Sequence, residues 1–162
     1  MSGKVLMVRV ADLGVGQAHD TLVTLGLGSC VAIVLHDAQA KVGGLAHVLL
    51  PSPALARSDG KPARFPQSAV PSLLQLMTAN GAQPRRITAR LAGGASMFAA
   101  LAPPGTVLMG ERNLVASRQT LAAHGVPLVG EAVGGDFGRT VRLRVSDGRL
   151  EISTVAHGVQ HI

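Results

Sequence analysis

The residue types in this chain best suited to covalent chemistry are its single cysteine, Cys30, and a nearby histidine, His47. Cys30 follows a glycine-broken turn, Gly26-Leu27-Gly28-Ser29, and opens the β-favouring run Val31-Ala32-Ile33-Val34-Leu35. A polar stretch, Asp37-Ala38-Gln39-Ala40, separates it from a second apolar run, Val42 to Leu50, which stops at Pro51. Two such runs joined by about four turn residues predict a hairpin. With Asp37 to Ala40 as the loop, His36 pairs with Lys41 and Cys30 with His47. Directly opposed residues share a face with Cβ atoms roughly 4.5–5.5 Å apart, so thiol and imidazole come within hydrogen-bonding reach. A one-residue slip would send them to opposite faces.

The pair would make an activated nucleophile. Thiolate is the attacking form, and a free cysteine near neutral pH is mostly thiol. An adjacent imidazole takes the proton and later returns it to a leaving amine. Thr24, just before the turn, could accept a bond from the other ring nitrogen and orient the imidazole. Backbone N–H groups around Gly28, Ser29 and Cys30 could form an oxyanion hole. The competing reading is that Cys30 is an inert core residue and His47 a satisfied polar group. Spacing alone leaves both open. His36 has the parity of Cys30 but lies roughly 20 Å further along the strand.

Around the hairpin, Lys4 to Val10 reads as a strand, Asp12 to Asp20 as a polar connection and Thr21 to Leu25 as a short strand. The stretch from Pro51 to Pro66 holds four prolines together with Arg57, Asp59, Gly60, Lys61 and Arg64. It is expected to be a solvated, mobile loop, either a plain connection or a flap beside the site. Gln67 to Asn80 predicts a helix with the apolar stripe Val70, Leu73, Leu74, Met77, capped by Gly81. Pro71 fits there only in a first turn.

Arg86 to Leu91 predicts a strand ending at Gly93-Gly94. That pair serves either close packing on the hairpin or, more weakly, an anion. Glu111 to His124 predicts a second helix with Leu114, Val115, Leu121 and Ala122 inward and Gly125 as cap. Pro127 to Val133 predicts a strand, and Gly134-Gly135-Asp136 a turn. Arg139, Val141, Leu143 and Val145 alternate with Thr140, Arg142 and Arg144, a half-exposed strand. Its arginine row is a solvated face or a contact for an acidic partner. Asp147-Gly148 signals a hairpin to Leu150–Val155. The pattern is that of one domain, residues 1–162, of α/β or α+β class, with mixed sheets and two long helices.

Composition narrows the functions. A chain of 162 residues with 47% hydrophobic content can bury a core of its own. The charge balance is +6, and twelve of the fifteen basic residues are arginine, which favours an acidic partner. The basic residues are scattered and aromatic content is 2%, so nucleic-acid recognition is not expected. One cysteine permits no internal disulfide and fits a reducing compartment, the cytoplasm. No secretory signal is visible. Leu91 to Gly110 is uncharged over a membrane-spanning length, but Gly93, Gly94, Pro103, Pro104 and Gly105 interrupt it, so no membrane insertion is expected. It reads as buried strand end, loop and short helix. No metal-ligand spacing is present, nor is a cofactor expected.

TLGLGSCVAIVLHD and KVGGLAHVLLP, followed in order by ARLAGGASMF, GERN and VGGDFGR, make the chain resemble the chemoreceptor glutamine deamidase family, CheD. The resemblance covers nearly the whole chain. It implies an α/β fold, a layered sandwich of mixed, largely antiparallel sheet with two long helices, a catalytic set at Thr24, Cys30 and His47, and a thiol–histidine core related to bacterial toxin deamidases. The implied reaction converts selected glutamines of methyl-accepting chemoreceptors to glutamate, with hydrolysis of glutamyl methyl esters as a side activity. It also implies pairing with a CheC-type phosphatase, which makes a regulatory binding module the rival reading.

Overall fold

The structure is a computed structural model in which residues 3–56 and 60–162 are described. Arg57 and Asp59 of the expected mobile loop lie outside the described residues. In chain order the strands are β1 (Val5–Met7), β2 (Leu13–Gln17), β3 (Thr21–Leu27), β4 (Val31–Asp37), β5 (Val42–Val48) and, after helix α1 (Pro66–Ala79), β6 (Thr88–Gly93). Helix α2 (Met109–Ala123) then leads to β7 (Leu128–Val133), β8 (Arg139–Arg144), β9 (Arg149–Thr154) and β10 (Gly158–His161).

The strands form two five-stranded sheets, β1-β3-β8-β9-β10 and β2-β5-β4-β6-β7. Among the described residues, only β1–β3 and β6–β7 pair in parallel. One face of the second sheet carries both helices: Val31, Ile33, Leu35 and Val48 share a core with Val70, Leu73, Met77, Leu114 and Leu121. Its other face meets the first sheet, where Ala32, Val34 and Leu45 pack with Leu22, Leu27, Val141 and Leu143. Strands β4 and β5 are therefore covered on both sides, which is why they read as continuous apolar runs. The fold is the expected α/β layered sandwich of mixed, mostly antiparallel sheet.

Five local expectations need correction. First, the hairpin loop is one residue later: Asp37 pairs with Val42, and His47 opposes Ala32, not Cys30. Asp37 stays in the strand because its buried carboxylate accepts from Arg86 Nε at 3.0 Å and from the Gln83 N–H at 2.9 Å. Second, part of the expected polar connection is strand β2, whose Gly14 and Gly16 lie close to Val8 and Asp20 side chains. Third, α1 begins at Pro66, so Pro71 sits in its second turn; the bond it forgoes belongs to the carbonyl of Gln67, an exposed residue. Fourth, Val115 and Ala122 are exposed, and α2 instead turns Asn113, Ala116, Ser117 and Thr120 inward with Leu114 and Leu121. Small side chains there let the helix approach the sheet closely. Fifth, the first strand is shorter than the expected Lys4 to Val10, covering Val5–Met7, while the residues after the Leu150–Val155 segment add β10.

The described part of the 51–66 stretch is tied down. The Arg64 carbonyl accepts from the N–H groups of Leu49 and Leu50, and Gln67 Nε2 donates to the Pro51 carbonyl.

Candidate active site

Cys30 lies where the chain crosses from one sheet to the other. Strand β3 is irregular between Thr24 and Leu27, with Gly26 at φ 67°, and the chain then turns through Gly28-Ser29-Cys30 into β4. Three successive carbonyls of that turn are held: Gly28 O by the Ala95 N–H (2.9 Å), Ser29 O by Asn113 Nδ2 (2.9 Å) and Cys30 O by the Gly94 N–H (2.8 Å). The close packing needs glycine. A Cβ on Gly93, at φ 103°, would stand 2.3 Å from Cys30 O, and one on Gly94 would strike Leu114. Of the two readings of that glycine pair, close packing on the hairpin accounts for it. Arg139 holds the end of the neighbouring strand β7, donating from Nη1 to Gly134 O at 2.8 Å.

Every peptide here is trans, so each N–H points opposite to its own carbonyl. The Ser29 and Cys30 N–H groups thus face away from their clamps, and no backbone carbonyl among the described residues accepts from them. These are the groups the sequence suggested for an oxyanion hole around Gly28 and Ser29. The Cys30 side chain is half-buried against the inter-sheet core, and this burial pushes its thiol pKa up.

His47 is fully buried near the end of β5. Its backbone is held on both sides, N–H to Asp12 O (3.0 Å) and C=O from the Ala11 N–H (2.9 Å). Because Ala32 opposes His47 and Cys30 precedes Ala32 by two, the thiol and imidazole share the inter-sheet face as diagonal neighbours. Such neighbours have Cα atoms about 7–8 Å apart, and no hydrogen bond joins the thiol to the imidazole, so the expected hydrogen-bonding reach is not met with this register. The two-residue offset of the register preserved the face.

Thr24 reaches His47 from the opposite sheet. Its Oγ1 lies 2.7 Å from His47 Nδ1 and 2.6 Å from the carbonyl oxygen of Val8. A carbonyl only accepts, so the single Thr24 proton goes to Val8, and Thr24 must accept the His47 Nδ1–H. Nδ1 is therefore protonated, and in the neutral ring the lone pair is on Nε2. Nε2 is buried without a hydrogen-bond partner among the described residues. Burial also holds the His47 pKa below the ordinary imidazole range. Burial thus shifts both groups toward their neutral forms, thiol and imidazole.

Beside the turn is a recess of about 240 Å³ lined by Ser29, Ala95, Met97, Phe98, Leu108 and Gly110. Phe98, on its lining, is 76% exposed, and Leu101, at the end of the 3-10 turn that follows Phe98, is 82% exposed. The stretch from Leu91 to Gly110 is thus buried at its strand end and again at Gly110, where α2 begins, and largely exposed between them. His36 lies at the far end of the same hairpin, its Nε2 donating to Val145 O at 2.8 Å, and takes no part in the site. Among the described residues no group of three or more His, Cys, Asp or Glu is arranged to hold a metal, and no helix is long and apolar enough to cross a membrane.

The family model described as CheD chemotactic sensory transduction matches residues 49–154. A protein of Caldanaerobacter subterraneus is 40% identical over 162 residues, covering all of both chains. One of Methanococcus maripaludis is 42% identical over 90% of this chain and 92% of its own. Both carry the name "Probable chemoreceptor glutamine deamidase CheD". The chain belongs to the CheD family.

Thr24, Cys30 and His47 precede the segment that the CheD model matches, and lie within the match to the Caldanaerobacter CheD protein, which spans the whole chain. Among solved structures, the C-terminal domain of CNFy from Yersinia pseudotuberculosis aligns over 99% of this chain and 62% of its own, at 8% identity and a TM-score of 0.47. Sequence reasoning missed Asn113: it belongs to the GERN stretch, but nothing local assigns an asparagine on a helix to a turn so distant in sequence.

Proposed function

We propose that this CheD protein hydrolyses the carboxamide of glutamine side chains in the cytoplasmic region of methyl-accepting chemoreceptors, leaving glutamate and releasing ammonia. The observation that carries the reading is the Val8–Thr24–His47 chain of hydrogen bonds. It leaves an unpartnered, unprotonated Nε2 on the face shared with Cys30.

The chemistry follows from that arrangement. As sulfur attacks the carboxamide carbon, the thiol proton passes to Nε2, and the resting pair need not be ionic. The developing oxyanion is met by the Ser29 and Cys30 N–H groups. Nε2–H then protonates the nitrogen, the C–N bond breaks and ammonia leaves a thioester on Cys30. A water deprotonated by Nε2 attacks the thioester, the C–S bond breaks, and the proton returns to sulfur. A glutamyl methyl ester would be cleaved by the same route, with methanol leaving instead.

The names of the relatives support the substrate class, and the exposed apolar side chains of Phe98 and Leu101 suit a protein substrate better than free glutamine. The enzyme would act in the cytoplasm, where that receptor region lies. A regulatory role through a CheC-type phosphatase makes no use of an orphaned imidazole nitrogen.

The test uses purified chemoreceptor cytoplasmic fragments, with ammonia assayed and glutamine-to-glutamate conversion read by mass spectrometry. Wild-type protein should release ammonia stoichiometric with conversion, and Cys30→Ala none. Ammonia release by Cys30→Ala at the wild-type rate would exclude the thiol mechanism.

A further inference from the structure

Helix α2 sends one side chain to the active-site turn, and that side chain is polar. Asn113 has no solvent exposure. Its Nδ2 donates to Ser29 O at 2.9 Å and to Leu49 O at 3.2 Å. Both partners are carbonyls, so the amide nitrogen must face them and the orientation of the amide is unambiguous. One NH2 group thereby fastens the peptide preceding the nucleophile to a residue two positions beyond His47. Its Oδ1 is buried with no partner among the described residues, a cost that a purely structural position would relieve by substitution.

We infer that Asn113 is a positioning residue whose task is to aim the Cys30 N–H at the oxyanion; the inference rests on the deamidase reading above. The carbonyl it grips, Ser29 O, belongs to the same trans peptide as the Cys30 N–H. Fixing that oxygen on α2 fixes the N–H in the opposite direction, toward the open side of the turn, where no backbone carbonyl takes it. The second bond, to Leu49 O, keeps that peptide in register with the strand that carries the base. Ala95 does the same for the Ser29 N–H through the Gly28 carbonyl, but with a backbone donor that substitution cannot remove.

Two rates separate this role from a general brace. Amide hydrolysis passes through an oxyanion, whereas alkylation of the thiol by iodoacetamide is a displacement at carbon that forms none. Asn113→Ala should lower kcat on a receptor fragment about 10²-fold, the lower end of what removing an oxyanion donor costs. KM should stay within about twofold, and the Cys30 alkylation rate with its pH dependence should match wild type. If the alanine variant does not fold, Asn113→Ser serves. Its hydroxyl can bond the helix carbonyl four residues back, as Ser117 Oγ does to Asn113 O, without reaching Ser29. Unchanged kcat would overturn the inference, and so would alkylation falling in proportion to kcat. A wild-type protein that released no ammonia would instead overturn the deamidase reading.

Discussion

At one end of the β4–β5 hairpin His36 donates Nε2–H to the Val145 carbonyl, packs under Gly148, and neighbours a buried Asp37–Arg86 ion pair. At the other end His47, on the same inter-sheet face and equally withdrawn from solvent, is bonded through Nδ1 and left bare at Nε2. Both histidines sit on strands within apolar runs, and both were candidates by type. What distinguishes them is a fully buried ring nitrogen without a partner, which His47 has and His36 does not. Buried polar groups are nearly always hydrogen-bonded, so an unmatched one at the Cys30 end marks where chemistry is expected. The matched end is scaffold.

That contrast can be broken directly by exchanging the two histidines. His47→Gln should lower turnover on receptor fragments about 10²–10⁴-fold, the range for losing a general base. His36→Ala should leave kcat near wild type while lowering the unfolding free energy by about 1–3 kcal/mol, the cost of leaving the buried Val145 carbonyl unpaired. Denaturant melts and steady-state rates on the two variants give both numbers. A catalytic defect in His36→Ala would erase the distinction.

Thr24 sharpens it. Thr24→Ala removes the acceptor of Nδ1–H and should reduce kcat less than His47→Gln does. Thr24→Ser keeps the oxygen and should restore most of the rate, with KM steady in both. A serine variant as slow as the alanine variant would point to methyl packing instead of tautomer control.

The site's main line was legible because its partners lie in one hairpin and its immediate approach. Parity alone put Cys30 and His47 on a common face, and it survived a register error of two residues. The error came from Asp37, an acidic residue that looks like a turn but is neutralised by Arg86, far away in sequence. Strand β2 was illegible because Gly14 and Gly16 stand where side chains would show the alternation. The inward face of α2 was misread because its buried positions include Asn113, Ser117 and Thr120, so apolar periodicity picked out the exposed Val115 instead.

The scaffold end should show itself in acid. Burial alone would raise the Asp37 pKa, but bonds from Arg86, Gln83 and Ala40 outweigh it and hold the carboxyl at about 2, below its ordinary 3.8. A depressed folded pKa contributes stability above the unfolded value that is lost as pH falls through the folded one. Chemical melts should therefore lose about 2 kcal/mol between about pH 4 and pH 2 on this account. Asp37→Asn should flatten that part of the profile. An unchanged profile would show that the Asp37–Arg86 pair does not set acid stability.

The smallest effect is expected at the exposed Phe98 and Leu101. Phe98→Ser with Leu101→Ser should raise KM for a receptor fragment several-fold, with kcat and the iodoacetamide rate unchanged. A fall in kcat with KM constant would move those residues out of substrate docking.

The central claim is that resting His47 offers an unprotonated Nε2 to a neutral Cys30 thiol, and nitrogen-resolved NMR of labelled imidazole tests it most directly. At neutral pH the His47 spectrum should show a protonated Nδ1 and a bare Nε2, with imidazolium appearing only below the usual imidazole range. Removing the Thr24 hydroxyl should mix the tautomers. A His47 protonated at Nε2, or an imidazolium persisting at neutral pH as half of an ion pair with Cys30, would contradict the account.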